Sequence, residues 1–429
     1  GVDFPEAVIE LVKEGTLPIS RVNEACSKIL MAKFKLGLFE NRFVDIEKIP
    51  ENIFTSEHRF TALETARKGI VLLKNSNLLP LNKSKNSKNI LVTGPNANNQ
   101  SILGDWHAAQ PEENVITIYE GIKDLGESKG YDVSFFDSGD NIRKISNKNI
   151  QNTVDASKDA DYIIVVVGDN SMRYKWKDKT AGENMARAEL NLAGKQLELV
   201  SSLKEINDNV IVVYVNGKPI SEPWIQNNIP SIIEAWEPGN LGGKAVAEII
   251  FGDINPSGKL PLTVPRSVGQ LQMIYNHKPS QYFHKYAFEK NKPLYEFGYG
   301  LSYTKFKYSK PKLLNTSFDD DSIIKVEVAV TNIGEMDGDE IVQLYIRDNV
   351  SSATRPVKEL KGYKRIHLKV DETKNVVFEI TPESLAFYDI NMNYVVEAGT
   401  FKIMTGSSSH FKSLKTVELN ILNKIEFNN

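Results

Sequence analysis

The spacing of apolar residues changes twice along the chain. Residues 5–14 (PEAVIELVKE) place apolar side chains every three to four positions and stop at Gly15 and Pro18, which is the period of a helix and its breakers. A second helix is expected from a cap at Ser20, with Val22, Cys26, Ile29, Leu30 and Lys33 near helical spacing and Gly37 at its end. Two helices cannot bury their apolar faces alone, so this segment reads as the tail of a larger domain or a docking arm. A polar stretch near residues 40–56 reads as linker. Helix and strand then alternate. Residues 60–74, 117–127, 194–206 and 242–251 have helical period. Residues 89–94 (NILVTG), 131–136 (YDVSFF) and 231–236 (SIIEAW) read as strands. Residues 161–168 (DYIIVVVG) and 209–215 (NVIVVYV) are near-continuous β-branched runs, as strands buried on both faces require. The expected unit is an α/β sandwich, a mostly parallel sheet flanked by helices.

Residues 266–309 are aromatic, Gly- and Pro-bearing, and irregular. Beyond them the period becomes two, with short strands expected at 323–331, 341–347, 374–380 and 400–404. That pattern predicts an all-β sandwich of roughly 110–120 residues. There is no solenoid repeat and no low-complexity tract.

Composition narrows the function classes. The chain has 429 residues, 41% hydrophobic and 25% charged; at roughly 100–200 residues per domain this is two to four domains with ample core material. The net charge is −3, so no basic excess exists for a nucleic-acid partner. No apolar run approaches the ~18–20 residues of a membrane helix. Cys26 is the single cysteine, which excludes an internal disulfide and a Cys-based zinc site. No signal peptide is visible, and a chain opening on Gly1 without an initiator Met points to a true N-terminus upstream.

In an α/β sheet ligands sit beyond the carboxyl ends of the strands. Strand 161–168 runs into a loop of about 20 residues, GDNSMRYKWKDKTAGENMAR, long enough to be a functional segment. It holds Gly182-Glu183, Arg187, Tyr174 and Trp176. A loop glutamate presented to a neighbouring cleft suits a general acid; read by residue type alone, an isolated Glu is far more often a solvated surface carboxylate, so Glu183 is only a candidate. After residues 89–94 come Gly94-Pro95-Asn96, with no G-x-G-x-x-G and no G-K-[ST], so the segment is not a nucleotide loop. Nearby, Trp106 has two readings, stacking on a sugar face or closing the edge of the core, and Asp105 can hold hydroxyls. The histidines His58, His107, His277, His284, His367 and His410 form no H-E-x-x-H or H-x-H pattern, so neither metal nor other cofactor is expected. There is no G-x-S-x-G elbow either.

Taken together, these segments resemble the C-terminal portion of family 3 glycoside hydrolases of the bacterial periplasmic β-glucosidase type. The matching stretches include RKGIVLLKN (67–75) with Leu79-Pro80-Leu81, VVVG (165–168), Gly182-Glu183 with Arg187, LAGKQ (192–196) and GGKAVA (242–247). FGDINPSGKLP (251–261), FGYGLSYT (297–304) and RPVKELKG (355–362) complete the set. The chain departs from the family at Ala193, where Pro is usual, and at Asp169, where Glu is common.

The resemblance implies a three-part division. Residues 1–45 would be the last helices of a (β/α)8-type barrel otherwise absent from this sequence. Residues 46–265 would be the α/β sandwich domain carrying the acid/base loop, 266–309 a linking segment, and 310–429 a fibronectin type III-like domain. It implies retaining hydrolysis of terminal non-reducing β-glycosides, most simply β-D-glucosides of oligosaccharides, with β-xylosides as the alternative. The family's nucleophile is a barrel Asp, and Asp105 matches a different segment of the family. Glu183 matches the acid/base, which leaves Asp105, Trp106 and Arg187 as substrate-binding residues. One catalytic carboxylate cannot run a double displacement alone. The chain is therefore expected to work with a barrel chain or segment, in the periplasm or secreted, with a homodimer open to it. The alternative from another class is a non-catalytic carbohydrate-binding or interaction fragment.

Overall fold

The computed structural model describes residues 3–81, 88–270, 273–279, 285–315 and 323–427. His284 and parts of segments 266–309 and 310–429 lie outside the described residues. The chain forms two units, Gly1–Arg59 and Phe60–Asn429.

The first unit holds α1 (Phe4–Lys13), α2 (Ile19–Lys35) and the short α3 (Ile49–Asn52). Pro18, extended with ψ 135°, takes the N-cap position of α2 without a side-chain bond. Ser20 therefore lies inside the first turn and does not cap it, because helical backbone begins directly after the proline. Neither α1 nor α2 buries a residue, and Ile29, Met31 and Phe34 are exposed.

Helix α4 (Ser56–Gly69) begins within the first unit and ends in the second, where β1 (Val71–Asn75) follows it. Residues 60–74 are thus not one helix. Gly69, a poor helix former, ends it, and the buried Val71 and Leu72 pair antiparallel with Ser231–Trp236 at the sheet edge. The remaining strands are β2 (Asn89–Thr93), β3 (Asp132–Phe135), β4 (Tyr162–Gly168), β5 (Val210–Val215) and β6 (Ser231–Trp236). The sheet order is β1-β6-β5-β4-β2-β3, with β2 to β6 parallel.

Alternation inside the apolar runs serves two cores. Ile164 and Val166 of β4 face α5 (Ile118–Ser128) and α9 (Gly242–Ile250). Ile163, Val165 and Val167 face α6 (Asn147–Ala156), α7 (Gln196–Ile206) and α8 (Pro223–Asn228). Each such fully buried Ile or Val contributes about 1.5–3 kcal/mol. Helices α5 and α9 touch backbone to backbone: a Cβ on Gly121 would lie 2.2 Å from the Gly243 carbonyl carbon.

The β-sandwich comprises β7 (Phe306–Tyr308), β8 (Lys312–Leu313), β9 (Ile324–Asn332), β10 (Gly338–Asp348), β11 (Glu359–Leu368) and β12 (Thr373–Ile380). It continues with β13 (Phe387–Tyr388), β14 (Tyr394–Val396), β15 (Gly399–Gly406), β16 (Leu414–Ile421) and β17 (Ile425–Glu426). Sheets β11-β10-β15-β16 and β12-β9-β7 enclose Val326, Val328, Leu344, Phe378 and Ile403. Asn255 explains why two of the sequence stretches above go together. Its Oδ1 accepts from Ser302 Oγ at 2.8 Å and from Tyr303 N at 2.9 Å. Lys259 Nζ pairs with Glu340 at 3.3 Å, tying the α/β domain to the sandwich.

Candidate active site

The stretch between β4 and α7 crosses the carboxyl end of the sheet. Left-handed backbone at Gly182 (φ +99°), Asn184 (φ +57°) and Gly194 (φ +62°) keeps it from coiling into one helix. It is nonetheless braced. Thr180 N donates to Asn170 O at 2.8 Å, and Asn170 N donates to Thr180 Oγ1 at 2.9 Å. Asn96 Nδ2 donates to Asp169 O at 2.9 Å, and Arg143 Nε to Lys179 O at 3.0 Å.

Glu183 is held through its backbone by Asp105. The Glu183 N–H donates to Asp105 Oδ2 at 2.5 Å, and Lys179 Nζ donates to Asp105 Oδ1 at 2.9 Å. Lys179 Nζ also reaches Glu183 O at 3.2 Å, and its side chain is 0% exposed. Gly182 permits the approach: a Cβ there would lie 2.5 Å from Asp105 Oδ2. Burial pushes the Asp105 carboxyl up, but the bonds from Lys179 and the Glu183 N–H, with the charges of Lys179 and Arg173, outweigh it and hold it below the usual carboxylate value. Both Asp105 oxygens are thus engaged by the protein itself.

The Glu183 carboxylate points outward, with a side chain 42% exposed, and accepts from Arg173 Nη2. The Arg173 guanidinium carbon lies 3.7 Å from the Trp106 ring centroid, within cation–π range. Trp106 is 76% exposed, so it does not close the core. Tyr174 and Trp176 on the same loop are also exposed. Arg187 is turned inward. Its Nη1 donates to Asp169 Oδ1 and its Nη2 to Asn191 O, both at 2.8 Å. Asp169, only 1% exposed by side chain, also faces Lys218 Nζ at 3.0 Å. An Asp at this position is therefore long enough to hold Arg187.

The fold brings Asp105, Trp106 and Glu183 together at one end of the sheet and places Arg187 beneath the loop. Sequence reasoning missed Arg173, Lys179 and Glu237. Lys179 had no signal among Lys175, Lys177 and Lys179. Glu237 had one, since it directly follows β6, a parallel strand with its carboxyl end at the crevice. His107, beside Asp105, has both ring nitrogens buried without a hydrogen-bond partner among the described residues, and burial lowers its pKa. Chemically, the arrangement offers an outward carboxylate on a braced backbone, a cation against it, and aromatic faces able to stack on a sugar ring.

Known proteins share this arrangement of domains. Residues 340–409 match the fibronectin type III-like domain. The chain is 41% identical over 418 residues to a β-xylosidase of Formosa agariphila, covering 93% of this chain and 55% of that protein. It is 34% identical to the periplasmic β-glucosidase of Salmonella typhimurium, again over 93% and 55%. The solved structure of a β-glucosidase involved in saponin metabolism from intestinal bacteria superposes with a TM-score of 0.89 at 32% identity, covering 98% of this chain and 62% of that one. The chain thus spans about half the length of the curated relatives it matches. Residues 70–303 match the glycosyl hydrolase family 3 C-terminal domain, and on that match the chain belongs to glycosyl hydrolase family 3.

Proposed function

We propose that this chain supplies the general acid/base of a retaining β-glycosidase that removes terminal non-reducing β-D-glucosyl units from oligosaccharides. The observation that carries the reading is Glu183: an outward carboxylate whose backbone is fixed by Asp105 and Lys179 at the carboxyl end of β4, beside the exposed ring of Trp106. In the first step Glu183 gives its proton to the glycosidic oxygen. A second carboxylate meanwhile bonds to the anomeric carbon, and the bond to the leaving sugar breaks. In the second step ionised Glu183 takes a proton from water, whose oxygen displaces that carboxylate. Trp106 would stack on the aglycone, while Asp105 and Arg187 serve the site by holding the loop.

The second carboxylate belongs, in this reading, to a barrel chain or segment acting with residues 1–429. The exposed apolar side chains of α1 and α2 and the half-length match to the relatives support that partner. A periplasmic or secreted location follows the Salmonella relative's name. The 41% identity to the Formosa agariphila β-xylosidase favours a second reading, in which the substrate is a β-xyloside; paired aryl glucoside and xyloside rates decide between the two.

The test is Glu183→Gln in the complete enzyme. Alkyl and oligosaccharide glycosides should slow by ~10²–10⁴-fold, the usual worth of a positioned acid/base. Dinitrophenyl glycosides, which need little protonation, should lose far less in the first step, and azide should restore turnover and yield the β-glycosyl azide. Equal losses for both leaving groups with no azide product would reject the assignment.

A further inference from the structure

One cation stands where the proposed reaction needs a sugar. Arg173 lies in the loop that carries Glu183, at the start of a short turn, Arg173–Asp178, broken by non-helical backbone at Lys175 (φ −107°, ψ 46°). Its Nη2 donates to Glu183 Oε2, and its guanidinium carbon lies 3.7 Å from the centroid of the Trp106 ring. The guanidinium thus touches both that ring face and the proposed acid/base carboxylate. At 3.7 Å it is in van der Waals contact with the ring, so no sugar fits between them. A leaving sugar that stacks on this face of Trp106 while its glycosidic oxygen meets Glu183 needs the same space.

The side chain is held lightly. It is 35% exposed, and the Glu183 side chain it meets is 42% exposed. Asp105 Oδ1 lies 3.6 Å from Arg173 Nε, too far for a hydrogen bond, and that nitrogen has no hydrogen-bond partner among the described residues. Asp105 is already engaged by the Glu183 N–H and by Lys179 Nζ. The backbone, in contrast, is anchored. Met172 is buried, and its N–H donates to Asn170 Oδ1 at 3.0 Å. The Arg173 side chain can therefore swing out while the loop stays in place.

We propose that the Arg173 guanidinium holds the aglycone position in competition with substrate, and that the leaving sugar of an oligosaccharide displaces it from Trp106 and from Glu183. The inference rests on the reading of Glu183 as the acid/base and of Trp106 as the aglycone platform. Arg173 then sets aglycone preference. A small aglycone must still free Glu183 and gains nothing from the ring, whereas a sugar with an apolar face replaces the guanidinium on Trp106 as well.

Arg173→Ala in the complete enzyme tests this. KM for an oligosaccharide should fall by about 3- to 30-fold, the combined worth of an exposed ion pair and an exposed cation–π contact. The methyl β-glycoside of the same terminal sugar, too small to stack on Trp106, should gain only the smaller share that comes from freeing Glu183. In a Trp106→Ala background, the oligosaccharide's gain from Arg173→Ala should shrink to that of the methyl glycoside. The proposal is overturned if Arg173→Ala leaves the oligosaccharide KM unchanged or raises it, if the methyl glycoside gains as much, or if the gain is undiminished without Trp106. If Trp106→Ala by itself leaves the oligosaccharide KM unchanged, the platform reading fails and the displacement with it. The role of Glu183 is judged separately, by the leaving-group dependence and azide product of Glu183→Gln. Should Arg173→Ala lower the melting temperature, Arg173→Gln decides: an oligosaccharide KM no lower than the parent's refutes the displacement.

Discussion

Replacing Glu234 by Gln should make the α/β domain more stable at alkaline pH. Glu234 lies on β6 and is 3% exposed. Its Oε1 accepts from the Trp236 N–H at 3.0 Å and its Oε2 from Asn216 Nδ2 at 3.4 Å. Burial pushes its carboxyl from an ordinary 4.5 up to about 8, against the Trp236 and Asn216 bonds and the Lys218 charge. The folded chain therefore favours the neutral acid, whereas the unfolded chain ionises near 4.5. The stabilisation is complete below about pH 4.5 and is lost as the pH rises toward 8. The whole shift corresponds to about 5 kcal/mol, of which about 4 kcal/mol falls between pH 5 and pH 9. Gln has nearly the same shape and never ionises. In urea unfolding, the variant should lie within ~1 kcal/mol of the parent near pH 5 and about 4 kcal/mol above it near pH 9. All four tryptophans, Trp106, Trp176, Trp224 and Trp236, lie in the α/β domain, so their fluorescence reports its unfolding. A stability difference that stays the same at both pH values would refute the reasoning.

Asp105→Ala should destabilise the chain by about 3–5 kcal/mol, because it leaves the wholly buried Lys179 ammonium without its counter-charge; a loss under ~1 kcal/mol in chemical denaturation would contradict the pairing. Trp106→Ala removes an exposed ring, so the melting temperature should hold while KM in the complete enzyme rises more for oligosaccharides than for small aryl glycosides. A fall in melting temperature with unchanged KM would restore the core reading. Gly243→Ala would put a Cβ 1.9 Å from Thr117 O and should cost about 1–3 kcal/mol by forcing α5 and α9 apart. An unchanged unfolding midpoint would show that the helices can yield.

Local chemistry is enough for the elements whose residues have one environment along their length. β4 and β5 are legible because a strand covered on both faces must be apolar throughout. β9 is legible because its burial alternates residue by residue. β1 and β11 are not. Val71–Asn75 could have continued α4, and only pairing with β6, far along the chain, makes it a strand. β11 is a half-exposed edge strand with weak alternation, so nothing local separates it from a loop. The site divides in the same way. Glu183 is found through the likeness of the segments around it to a family, since a loop glutamate has no periodicity of its own. Which of three loop lysines is buried, and which carboxylates face one another, depends on partners 66 to 78 residues apart, as in Ser171 with Glu237 and Asp105 with Glu183. Hydrophobic period is a short-range property and is written into the chain; charge pairing at the ends of the strands arises only when the sheet brings those ends together.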